Sequence, residues 1–87
     1  THNAFLRFTL QGRIAAGHPI TQILKKFCGS HTMISSQDGD FGDPNTEYAY
    51  QLLIKNAAKN ELMLAELQKV EGVKNLNLTV QEQLLQI

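Results

Sequence analysis

The chain has a single cysteine, Cys28, no tryptophan, and only two prolines, Pro19 and Pro44, in 87 residues. One cysteine excludes an internal disulfide and any zinc site built from several thiolates, and it points to a reducing compartment. An excess of charge of one sign is also missing, because eight Lys and Arg balance eight Asp and Glu. No global field therefore draws the chain to nucleic acid or anionic lipid, and the self-repulsion that opposes association is weak. Long apolar runs are absent too: nothing approaches the roughly 20 residues a membrane-spanning helix needs, and no signal peptide is visible. A cytoplasmic location is expected. The sequence begins with Thr1 rather than Met, which reads as a piece cut from a longer protein, so a membrane-bound parent stays compatible.

What is present is one domain's worth of core material. Apolar residues make up 43% of the chain, four Phe and two Tyr among them, against 18% charged, which is globular rather than disordered. Residues 1–87 are near the lower limit for a core without staples, so they form a single domain that folds alone or as a dimer.

Periodicity supplies the elements. Ala4 to Gln11 alternates, with Leu6, Phe8 and Leu10 on one face and Phe5, Arg7, Thr9 and Gln11 on the other, as a half-buried strand requires. Pro19 suits a first helical position, and Ile20, Ile23, Leu24 and Phe27 follow as the stripe of an amphipathic helix, which Gly29 is expected to cap. His31 to Ser36 reads as a short edge strand. The turn formers of Gln37 to Asn45 lead into a strand from Thr46 to Ile54, with Tyr48, Tyr50, Leu52 and Ile54 on one side. A second helix is expected from Ala57 to Val70, capped by Asn56 or Asn60 and striped by Met63, Leu64, Leu67 and Val70, with Gly72 ending it. Leu76, Leu78 and Val80 then form the apolar face of a fourth strand.

One-faced strands and one-striped helices bury most cheaply as two layers. The predicted fold is an α+β ferredoxin-like βαββαβ sandwich, a four-stranded antiparallel sheet in the order 4-1-3-2 with both helices on one face. Strands 2 and 4 are then exposed edges able to pair with a second copy.

Four groups of residues are candidates for chemistry. The joint Gly12-Arg13-Ile14-Ala15-Ala16-Gly17-His18-Pro19 offers flexible glycines, helix-start amides for a carboxylate or phosphate, and Arg13 as a charge partner. Its candidate ligand-binding residues are Gly12, Arg13, Ala16, Gly17, His18 and Ile20. Asp38, Asp40 and Asp43 gather acidic oxygens, but without EF-hand spacing they are what a hairpin loop requires anyway. His2, His18, Cys28 and His31 could ligate a transition metal, yet no repeated ligand spacing supports it, and no metal or cofactor is expected. Tyr48 and Tyr50 with Phe5 overlap part of the aromatic signature of RNA-recognition motifs, but the phase of Leu52 and Ile54 turns the tyrosines to the core. Without a nucleophile and base beside one another, no catalytic constellation is visible and a non-enzyme is expected.

The element order, the joint Gly12 to Ile20 and the segment Val70-Glu71-Gly72-Val73-Lys74-Asn75-Leu76 together resemble the ACT domain, a small regulatory module. The resemblance covers nearly the whole chain, with Gly17-His18-Pro19 where amino-acid-binding members often carry an acidic-Pro-Gly joint. It implies a dimer and a small-molecule effector. The chain is similar as well to the ACT-like cytosolic C-terminal domain of membrane proteins associated with magnesium transport and bacterial virulence. That likeness implies an accessory domain that touches the other domains of its parent and meets the membrane only through it. The expected function is thus regulatory or oligomeric, with a protein-protein docking domain and an RNA-binding domain on the same fold as alternatives, although neutral charge predicts no nucleic-acid partner.

Overall fold

A computed structural model describes residues 2–81. Its elements are β1 (His2–Gln11), α1 (Pro19–Phe27), β2 (Cys28–Asp38), β3 (Asn45–Ile54), a 3-10 turn (Ala57–Lys59), α2 (Asn60–Gln68) and β4 (Lys74–Gln81). The strands form one antiparallel sheet in the order β2-β3-β1-β4, which is the expected 4-1-3-2 order seen from its other edge. The ferredoxin-like sandwich is therefore the fold of this chain.

The core lies between the sheet and the two helices. Leu6, Phe8 and Leu10 from β1 and Tyr48, Tyr50, Leu52 and Ile54 from β3 meet Ile20, Leu24 and Phe27 of α1 and Met63 and Leu67 of α2. Each such aliphatic side chain contributes about 1.5–3 kcal/mol by leaving water. Phe8 is stacked on Tyr50 at 6.0 Å between ring centroids and tilted against Tyr48 at 5.6 Å, so the rings of β1 and β3 fill the centre of the layer. Lys26 and Glu66 link the helices through an ion pair at 3.0 Å, exposed enough to contribute under about 1 kcal/mol.

Several boundaries differ from those expected. Gly29 does not cap α1: Cys28 takes that position in extended conformation, its amide donating to the Leu24 carbonyl, and Gly29 already lies in β2. The strand extends over 11 residues because pairing with β3 outweighs the weak propensity of its Ser-rich end. Its ladder slips twice, between Cys28 and Ser30 and between Met33 and Ser35. The second helical segment stops short of Val70, and i→i−3 bonds from Lys59, Lys69 and Val70 tighten both of its ends. On β4, Leu76 and Leu78 are only partly buried and Val80 is 37% exposed, so its apolar face is not cleanly covered. Asn75 adopts φ +55° where β1 and β4 shift register, and its amide Nδ2 donates to the Thr9 hydroxyl at 3.3 Å.

Candidate functional site

The joint between β1 and α1 is ordered by its own polar groups. Gly12 takes φ +103°, a region that side chains rarely adopt, and its carbonyl accepts from the Tyr48 hydroxyl at 2.8 Å. The Ala15 carbonyl accepts from the His18 amide at 3.0 Å and from the Thr21 hydroxyl at 3.4 Å. His18 is the N-cap of α1: its Nδ1 accepts from the Ile20 amide at 3.1 Å, and its carbonyl accepts from the Gln22 amide at 3.2 Å. Pro19, at the first helical position, has no amide to offer. The helix-start donors expected to meet an anion are thus largely committed to local turns.

The candidate ligand residues divide accordingly. Arg13, Ala16 and Gly17 are exposed, and a Cβ added at Gly17 would meet nothing within 4 Å, so this stretch is open surface. His18 is half-buried as a cap, and Ile20 is fully buried as a core residue. His18 and Ile20 form the turn that starts α1, Gly12 is held separately by the Tyr48 hydroxyl, and Arg13 is exposed between them.

The acidic loop 39–44 is likewise occupied by turn chemistry. Asp43 accepts from the backbone amide and the side-chain amide of Asn45 at 2.9 and 3.0 Å, and Asp38 accepts from the Thr46 hydroxyl at 3.1 Å. Among the described residues, no three His, Cys, Asp or Glu side chains come close enough to hold a metal ion. Cys28 is buried, with its thiol 3.9 Å from the sulfur of Met63; burial pushes its pKa above the ordinary 9.0, and the Lys55 charge partly opposes this. His31 is half-buried on β2, and the side chain of His2 lies outside the described residues. Tyr48 and Tyr50 are buried beneath the helices, where neither ring can stack on a base. Burial, and then the neighbouring Tyr48, push the Tyr50 phenol above its ordinary 10.0.

Three surfaces remain. The open sheet face holds a depression of about 430 Å³ lined by Phe5, Arg7, Ile34, Ser35, Ala49, Asn77 and Thr79. Phe5, Arg7, Ala49, Asn77 and Thr79 are where strand alternation places them. Ile34, 50% exposed, joins them by alternation from Thr32, which pairs with Gln51 of the same face, and the ladder slip between Met33 and Ser35 sets Ser35 beside it. The second surface is the β2 edge. The third is a smaller pocket of about 160 Å³ at the opposite pole from the acidic loop, lined by Lys26, Phe27, Lys55, Asn56, Lys59 and Leu62. Its lysines come from segments some thirty residues apart, so no local motif could have announced it.

No helix among the described residues is long and apolar enough to cross a membrane. No protein-family model, no curated protein and no solved structure matches this chain.

Proposed function

We propose that this domain is a non-enzymatic regulatory and oligomerisation module, ACT-like in kind and part of a larger protein, which associates with a second copy through the β2 edge. The observation that carries it is the edge itself. Over 11 residues, Cys28 to Asp38, β2 contains no Lys, Arg, Glu or Pro, its only formal charge is the terminal Asp38, and Met33 and Ile34 are 41% and 50% exposed. Proteins ordinarily guard such an edge with charge or proline, because its free amides and carbonyls template another strand. A chain of zero net charge adds little repulsion against that pairing.

The slip between Met33 and Ser35 divides the strand into two regular runs, Ser30–Met33 and Ser35–Asp38. An antiparallel two-fold pairing lays the second run of each copy along the first run of the other, which is the self-complementary geometry of a closed dimer. Sedimentation equilibrium tests this. The chain should dimerise with rising concentration, and Thr32→Lys with Ile34→Lys, both at exposed positions, should keep it monomeric. A wild-type chain that stays monomeric at the highest soluble concentration overturns the reading.

A second reading is favoured by the open-face depression. Phe5 and Ile34 flank the small Ala49 beside Arg7, a mixed apolar and cationic floor on which another domain of the parent could seat. An effector at the Gly12–Ile20 joint has less support, since His18 and the Ala15 carbonyl already use its polar groups.

A further inference from the structure

The lysine-rimmed pocket and the acidic hairpin tip stand at opposite ends of the same strand. Phe27, in the pocket wall, immediately precedes β2, and Asp40 and Phe41 follow the end of β2 at Asp38. The two features match in chemistry. The pocket presents the cations of Lys26, Lys55 and Lys59 around Phe27 and Leu62, the latter 52% exposed. The tip presents Phe41, wholly exposed to solvent, beside Asp40. Asp38 and Asp43 are engaged with Thr46 and Asn45, which leaves Asp40 as the tip carboxylate without a hydrogen-bond partner among the described residues.

The fold of one copy accounts for part of these features but not for the exposure of Phe41 or the placing of Lys55 and Lys59. Lys25 and Lys26 suit the C-terminal turn of α1, and Lys26 also pairs with Glu66. Lys55 and Lys59 instead flank the start of the helical segment that begins at Ala57, where a cation is disfavoured, and among the described residues neither has a carboxylate partner.

We infer that the hairpin tip of one copy, Asp40 and Phe41, seats in the pocket of Lys26, Lys55, Lys59, Phe27 and Leu62 of a second copy, so that the dimer closes through two identical tip-in-pocket contacts. This rests on the dimer proposed above and specifies what fixes its register. With Asp38 opposite the partner's Ser30, Asp40 comes level with the partner's Cys28 and Phe41 with the partner's Phe27. Edge pairing over such short runs is a small contact beside the roughly 1,200–2,000 Å² of a stable interface, and an aromatic anchor at each end supplies what it lacks.

The test is charge reversal with complementation, read by sedimentation equilibrium and checked for folding by circular dichroism. Lys55→Glu with Lys59→Glu should weaken the homodimer about tenfold or more, as should Asp40→Lys in a separate chain, and added salt should weaken the wild type. Mixing the two variants should restore association, because each pocket then faces a tip of opposite charge. Phe41→Ser should weaken association without changing its salt dependence. If the wild type never dimerises, the edge pairing and this contact both fall. If it dimerises and the charge variants do so equally well, the tip-in-pocket contact alone is overturned and the edge pairing stands. Variants that dissociate singly and fail to reassociate when mixed also overturn it.

Discussion

The hydroxyl of Tyr48, in the middle of β3, donates to the carbonyl of Gly12 at 2.8 Å and so ties the β1–α1 joint to the floor of the core. The ring is 3% exposed and packs on Phe8, so the bond is made from a side chain with little freedom to move. A loop that looks mobile from its glycines is therefore anchored at its first residue.

Replacing Tyr48 with Phe keeps the ring contacts and leaves the Gly12 carbonyl without this donor. The expected loss is about 1 kcal/mol of unfolding free energy in urea titration, with an unchanged far-ultraviolet spectrum. An unchanged midpoint would mean that the bond contributes nothing beyond packing.

His18 should behave as a helix cap. His18→Ala is expected to destabilise the domain by about 1 kcal/mol, and His18→Asn, which keeps a capping acceptor, should recover most of that. Equal losses in both variants would show that the imidazole acts through packing instead.

The glycines of the two joints should respond oppositely to alanine. Gly72, at φ +88° in a backbone region that side chains rarely adopt, should lose about 1 kcal/mol or more on substitution. Gly17 has open space around it and no positive φ, so Gly17→Ala should be neutral or stabilising by up to about 1 kcal/mol. Thermal unfolding of the pair of variants checks both.

Alkali should destabilise the fold through two buried acids. Folding raises the pKa of Cys28 above 9.0 and of Tyr50 above 10.0, so the folded state holds protons that the unfolded chain gives up first. Their contribution is complete below the unfolded values and is lost as pH rises through the folded ones. The urea midpoint should fall from about pH 8 to about pH 10, and less steeply in Cys28→Ala. In native protein the same burial should slow thiol labelling of Cys28 far below the rate in denaturant.

The architecture could be read from the chain because each element carries one unambiguous period. Leu6, Phe8 and Leu10 alternate, Ile20, Leu24 and Phe27 recur at helical spacing, and one-faced elements in that order have one economical packing. At the Gly12–Ile20 joint the chain shows the residues but not their contacts. Gly12 and His18 are visible as letters, whereas the Tyr48 hydroxyl that holds one and the amide that the other caps are contacts between groups that folding brings together.

The sequence by itself determined the composition of the core, the sheet order and the absence of a charge excess, because those depend on local periodicity and on sums over residues. Only the tertiary structure decided that the β2 edge runs over 11 residues, that a slip in its ladder sets Ser35 beside Ile34 on the open face, and that Lys26, Lys55 and Lys59 rim one pocket. The reason is physical: edges, slips and pockets arise where separate segments meet, and their energetics depend on which groups remain unpaired after the core has formed.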